Sequence, residues 1–386
     1  MSSGTVRLRG HGRRDHRGIG VASAWNRRGI GVEPAGDVVR LASMKAIAVM
    51  RGGAPVAPNV ELVDLPEPEP GPGEVRIRTE ASALNHLDLW VGAGLPGIDR
   101  PYPLVTGSDG VGVVDVVGDD VDPAWLGRRV MMNAAVDVGE PARPGLVPAG
   151  EVFEVIGEHG PGAMAEAFVA PASNLVDIGD ADPVQAAAFG LAHLTAWRMV
   201  TTRGGVRPGD LVLIPGIGGG VALAALGICR HLGATVIVTS RHQWKLDRAR
   251  ELGAAETILD TGEDWGRAVR AATGKRGVDV CLDSVGKAIH GACIRSLARG
   301  GRFVTCGCTT GPDATTDLAR IFWNQLSLHG STMGDMAEFR EVVRLFLDGR
   351  LETVIDAVAG PEAGPDQFAR LERGEQFGKL VIDWRA

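Results

Sequence analysis

The stretch Leu211-Val-Leu-Ile-Pro-Gly-Ile-Gly-Gly-Gly-Val-Ala222 constrains the fold more than any other part of the chain. Its four leading apolar residues predict a buried strand. Gly216, Gly218, Gly219 and Gly220 then crowd into a turn, and Val221–Leu232 runs on with only Gly227 as a breaker, which predicts a helix. A second strand, Ala234-Thr-Val-Ile-Val-Thr239, follows at the spacing of a βαβ unit. Glycines allow backbone to approach a pyrophosphate closely, and the unpaired N–H groups of the first helical turn, from Val221 onward, point at it. A tight turn without a ligand is the plainer alternative.

The chain has 386 residues, enough for two to three domains, and a net charge of −7, which argues against nucleic acid as a partner. No apolar run reaches the roughly 18–20 residues that span a bilayer. The five cysteines all lie in the second half and mostly inside apolar runs, so a zinc knuckle or disulfide framework is not supported and a reducing cytoplasm fits best.

Residues 1–43 are arginine-rich, acid-poor and aperiodic. They read as a disordered tail or a start upstream of a true one at Met44, with an organelle transit peptide as the other reading. From Met44 to about 175 short strands dominate: Lys45–Met50, Val60–Asp64, Glu74–Glu80, Gly110–Val117 and Arg129–Met132. Asp182-Pro183 is an N-cap followed by a first-turn proline and opens a helix toward Val200. Strands and helices then alternate to about 331, the pattern of a doubly wound parallel sheet. Residues 332–386 predict a helix over Phe339–Leu347 and a strand within Gly378–Asp383 that must return to a neighbour, the first module being the candidate.

By these residues the chain resembles the medium-chain dehydrogenase/reductase superfamily. The resemblance covers nearly all of Met44–Trp384. It is carried by Pro72-Gly-Glu-Val75, Asn85-His-Leu-Asp88, Pro103–Gly112, Gly162–Phe168, Gly209–Val212, Lys245-Leu246, Gly300-Gly-Arg302 and Phe377-Gly-Lys379. It implies a mostly-β GroES-like catalytic module over 44–175, a Rossmann nucleotide-binding module over 176–331, and a C-terminal segment completing the former. Homodimers are also implied, with Leu326–Gly330 as a pairing edge strand.

Within the superfamily, zinc enzymes would carry Cys, His and Cys where this chain has Asn85, Ser108 and Leu191. They would also carry four cysteines between about 133 and 156, where it has none. Amide, hydroxyl and leucine side chains are poor or absent zinc ligands, so no zinc is expected. The remaining resemblance is to the zinc-independent quinone oxidoreductases and related enone reductases. Their Asn-x-x-Asp pattern is met by Asn85 and Asp88, and their Gly-x-Asp-x-x-Gly pattern by Gly107, Asp109 and Gly112. A zinc-type alcohol dehydrogenase, or a nucleotide-binding protein of the same fold with little turnover, are the other readings.

An NAD site usually ends its second strand in Asp or Glu, which binds the ribose 2′-hydroxyl. Here that end reads Thr239-Ser-Arg-His-Gln-Trp-Lys245. Ser240, Arg241 and Lys245 would suit a 2′-phosphate, so NADPH is expected in preference to NADH. The resemblance adds Ser284, Cys306, Gly307 and Lys379 as cofactor contacts. Without a metal, readily reduced acceptors suit the site: quinones, or α,β-unsaturated carbonyl compounds. Asn85 and Ser108 are the candidates to orient the acceptor, with the proton coming from solvent or an acid such as His86 or Tyr102. Asp88 belongs to the same motif, Asp109 is expected to fix a turn or an arginine, and His193 to be packed. Trp90 and Trp323 are candidates for the substrate side.

Overall fold

The computed structural model describes residues 42–386 apart from 96, 98, 99, 142–149 and 263. The expectation for residues 1–43 falls almost wholly outside them. Two sheets organise the molecule. In the second half, six strands lie side by side and all parallel, in the order Glu256–Leu259, Thr235–Ser240, Leu211–Ile214, Val278–Asp283, Leu297–Thr305 and Ser327–Gly330. The strand ahead of the glycine turn, Leu211–Ile214, is central and buried on both faces. That is why it reads as an unbroken apolar run.

The first half forms a mostly antiparallel sheet. Glu74–Ala83 is its hub, pairing with Gly110–Val117, Ala167–Pro171 and, from the far end of the chain, Lys379–Asp383. A smaller sheet joins Ser43–Val49 to Val60–Pro66 and Leu104–Val105. The C-terminal strand therefore enters the first module with Val381 opposite Ala83 and Ile382 opposite Ser82. Leu380, Val381 and Ile382 are all buried, and each such side chain stabilises by about 1.5–3 kcal/mol.

The helix Pro183–Trp197 joins the two halves. Asp182 caps it by accepting the Gln185 N–H at 2.8 Å, and almost every residue of it is buried. An all-round apolar surface is what a helix clamped between two sheets requires. Arg198–Arg203 continues it as a π turn, where buried Arg198 meets Glu338 at 2.8 Å on helix Met336–Leu347. His193 packs inside this junction, stacked on Phe189 at 3.8 Å, and burial pushes its imidazole down to about 4.

On the outer face, helix Leu318–Asn324 leaves Leu318, Phe322 and Trp323 about 70% exposed beside the edge strand Ser327–Gly330. Trp323 is thus on the surface and not on the substrate side. Among the described residues no helix is long and apolar enough to cross a membrane.

Candidate active site

A cleft of about 880 Å³ runs between the parallel sheet and the catalytic module. The glycine turn forms one wall. Gly216 and Gly218 have φ of 68° and 132°, which side chains rarely tolerate. Ile217 N–H is anchored on the Thr239 carbonyl at 2.9 Å. Gly219 is the N-cap of helix Gly220–His231 and carries no capping side chain, so the first-turn N–H groups lack a side-chain partner there. Gly216, Gly219, Gly220, Val221, Ser240, Arg241 and Lys245 line the cleft, as do Ser284, Cys306, Gly307 and Lys379. Gly218 does not, because its carbonyl is turned to accept the Gly378 N–H at 2.9 Å.

That last bond ties the glycine turn to the C-terminal strand and so sets Lys379. The Lys379 stem lies against Gly220, where a Cβ would sit 2.9 Å from Cδ. Its ammonium donates to Asn85 Oδ1 at 2.6 Å and to Asp109 Oδ2 at 2.9 Å, with both charged side chains buried. Asp109 also accepts from Asn85 Nδ2 at 2.9 Å and from the Leu191 N–H at 2.6 Å. Asp109 was expected to fix a turn or an arginine, and it instead holds a lysine and the Leu191 N–H inside helix Pro183–Trp197.

The five polar residues expected near the chemistry separate sharply. Asn85 and His86 line the cleft. Asp88 is buried behind them: its carboxylate accepts Asn85 N–H at 2.7 Å and Gly107 N–H at 2.8 Å. It closes a capping box for helix His86–Ala93, and burial pushes its carboxyl up to about 6. Ser108 is also buried and donates its hydroxyl proton to the Ile156 carbonyl at 2.8 Å. Tyr102 lies against Gly52 at the surface and outside the cleft. Asp88 and Ser108 therefore position their neighbours, and Tyr102 has no place in the cleft. His86 is held below its ordinary pKa by burial, then by the Lys379 and Lys245 charges, so it stands on the cofactor side as a neutral imidazole.

Lys245 also differs from its expected place. It is buried, donates to the Gly374 carbonyl at 2.8 Å, and lies over Gly218, whose Cβ would meet its Cδ at 2.9 Å. Arg241 and His242 are exposed beyond the strand end, which leaves the Arg241 guanidinium as the cation there, and Asp260 also lines the cleft.

The cleft fits a nicotinamide dinucleotide on its own features: the glycine cradle, the unpaired helix start, and two buried polar atoms without a partner, Thr195 Oγ1 and Gln376 Oε1, on cleft-lining residues. The zinc positions do not fit a metal. Leu191 has no donor atom, Ser108 is turned to Ile156, and the Asn85 oxygen is held by an ammonium group. Among the described residues no group of three His, Cys, Asp or Glu side chains is placed to hold a metal ion.

Thr195, Glu158, Asp260 and Met333 also line the cleft and were not anticipated. Thr195 follows Leu191 by one helical turn, a spacing that could have singled it out. Glu158 carries no comparable pattern, since it sits in an irregular turn.

Two family models match the chain: "Alcohol dehydrogenase GroES-like domain" over residues 71–180 and "Zinc-binding dehydrogenase" over 220–348. The chain is 31% identical over 351 residues to the zinc-type alcohol dehydrogenase-like protein YogA of Leptosphaeria maculans, covering 86% of this chain and 96% of that one. It is 34% identical to a 2-haloacrylate reductase of Burkholderia sp., over 55% of this chain and 58% of that one. A solved structure described as an NAD-dependent alcohol dehydrogenase is 40% identical with a TM-score of 0.82, covering 88% of this chain and 99% of that one.

Proposed function

The chain belongs to the medium-chain dehydrogenase/reductase superfamily of NAD(P)-dependent oxidoreductases, and we propose that it reduces quinones or α,β-unsaturated carbonyl compounds with NADPH and without zinc. The observation that carries this reading is the Lys379–Asp109–Asn85 cluster. It ties Asn85, one of the positions where a metal-dependent relative would carry a ligand, into a closed set of hydrogen bonds with an ammonium group and a carboxylate. A zinc enzyme lowers the pKa of a bound alcohol through the metal, and this site has no substitute for that step. An acceptor whose carbon or oxygen takes hydride readily needs only orientation and a proton. The bound dinucleotide would supply the hydride.

The chain's own residues account for the rest. The glycine turn and the first turn of helix Gly220–His231 suit the pyrophosphate, with Lys379 as the nearby cation. Thr195 Oγ1 and Gln376 Oε1 offer polar atoms with no other partner. The second Asn85 amide N–H makes a long 3.5 Å hydrogen bond to the Ala83 carbonyl, weak enough to be exchanged for one to an acceptor oxygen. Leu87, Trp90, Leu191 and Met333 make that part of the cleft apolar, which suits a ring or short acyl chain. The reduction of 2-haloacrylate named for one relative is of the same chemical class, hydride addition to an electron-poor C=C bond.

The preference for NADPH rests on Arg241, because Lys245 is committed to Gly374 and no carboxylate ends the strand Thr235–Ser240. Reversal of that charge in Arg241→Glu is expected to weaken NADPH by about 10- to 100-fold, the range of one charge-assisted bond, and to leave NADH within about threefold. Fluorescence titration of both dinucleotides checks it. Equal weakening of both would remove Arg241 from the 2′-phosphate. The function itself is tested by NADPH oxidation with 2-cyclohexen-1-one and phenanthrenequinone, set against ethanol oxidation with NADP⁺. Turnover of alcohol alone would reject the proposal.

A further inference from the structure

Hydride addition to an enone needs a proton as well, and the residues first considered for it are placed elsewhere. Tyr102 is at the surface, Asp88 is occupied by two N–H groups, and His86 is neutral on the cofactor side. One carboxyl on the substrate wall has no such task. Resting on the reductase reading above, we infer that Glu158 is the acid that protonates the acceptor.

The turn that carries it is held from three directions. Gly157 has φ of 90° and presses on the Gly107 backbone, where an added Cβ would come within 2.8–2.9 Å. Ser108 donates to the Ile156 carbonyl at 2.8 Å, just before the turn. Arg100 donates Nη1–H to the Glu158 carbonyl oxygen at 3.1 Å, and Glu158 N–H and His159 N–H both close on the Val155 carbonyl. The motif residues Gly107 and Ser108 thus brace Glu158 against the cleft, which gives Ser108 a positioning role in place of a substrate contact.

Glu158 lines the cleft, as do Leu87, Trp90, Val155, Leu191 and Met333, and its side chain is only 17% exposed. His159 beside it opposes the effect of burial without overcoming it. His159 Nδ1 stands 3.9 Å from Oε1 but accepts the Val155 N–H at 3.0 Å, so that nitrogen is unprotonated. Arg100 reaches the backbone carbonyl and makes no ion pair with the carboxyl. His86 and Lys379, in the same cleft, belong to the Asn85–Asp109 side. Burial raises the Glu158 carboxyl above its usual range, which makes it a readier proton carrier than an exposed glutamate.

In the step assigned to it, hydride forms a new C–H bond at the β-carbon of the acceptor and the C=C electrons move to an enolate. The Glu158 O–H bond breaks and its proton forms the C–H bond at the α-carbon. The acceptor gains two electrons, the dinucleotide loses them, and the carboxylate regains its proton from water. A quinone takes its protons on oxygen, where water suffices, so it should depend far less on this group.

The test is Glu158→Gln, compared with the native chain on 2-cyclohexen-1-one and on phenanthrenequinone. The expected result is a kcat loss of about 100-fold or more with the enone, the range for removal of a general acid, and a quinone rate within threefold. Native kcat with the enone should fall as pH rises through the raised carboxyl pKa, and this limb should vanish in the variant. A readout without turnover is cyclohexanone binding followed by tryptophan quenching: tighter as pH falls in the native chain, flat in the variant. An unchanged enone rate and binding profile, or equal loss with both acceptors, would overturn the assignment of Glu158. A native chain inert to both acceptors would instead reject the reductase reading.

Discussion

Lys379→Met is expected to cost about 3–5 kcal/mol of folding stability, because it strips from a buried carboxylate the only counter-charge that it pairs with among the described residues. Methionine keeps the length of the stem that lies on Gly220 but leaves Asp109 facing amide groups alone. The double variant Asp109→Asn/Lys379→Met removes both charges and should recover much of the loss, which distinguishes an unpaired charge from lost packing. Denaturant unfolding of the four chains closes the cycle. The same substitution should weaken NADPH by about tenfold or more, the worth of one cationic contact to a phosphate, when titrated where the variant is folded. A single variant as stable as the native chain would mean that the ion pair contributes nothing to folding stability.

The glycine turn supports a second large effect with an internal control. A Cβ on Gly219 meets nothing within 4 Å and its φ is −81°, so Gly219→Ala should fold with stability within about 0.5 kcal/mol of the native chain. That open space is the cleft itself, however, and the added methyl would stand where the pyrophosphate must approach the backbone. Dinucleotide affinity should fall by about 100-fold, the order of 3 kcal/mol that a misplaced phosphate contact costs. Gly227 lies in the interior of the same helix and is equally uncrowded. Gly227→Ala should stabilise by up to about 1 kcal/mol and leave affinity unchanged. Loss of affinity in both, or in neither, would separate the glycine turn from the dinucleotide.

Much of this architecture is legible in the residues because local patterns and tertiary demands coincide. Gly110–Val117 and Arg129–Met132 have the bounds that the strand pattern predicts. The C-terminal strand does return to the first module. The expected helix Phe339–Leu347 begins earlier, at Met336, because Asp335 and Glu338 form a capping box.

The site was less legible, for a geometric reason. A motif names residue types but not which way a side chain faces. Asn85 and Asp88 lie one helical turn apart, and yet the first opens on the cleft while the second is sealed beneath it by two backbone N–H groups. Ser108 and Tyr102 have the right chemistry and the wrong direction. Lys245 is drawn off the ribose end by a carbonyl 129 residues away, at Gly374. Glu158 has no periodic signal at all, since it sits in an irregular turn that is packed on Gly107 through Gly157. The two decisive groups, Lys379 and Glu158, are both placed by contacts distant in sequence.

The central claim is that hydride transfer here needs the dinucleotide and the chain's own hydrogen-bonding groups but no zinc. One purified sample decides it: zinc per chain by mass spectrometry, with NADPH-dependent reduction of 2-cyclohexen-1-one measured before and after exhaustive chelation. Far less than one zinc per chain is expected, with a rate unchanged by the chelator. Stoichiometric zinc, with activity lost on chelation and restored by the metal, would contradict it.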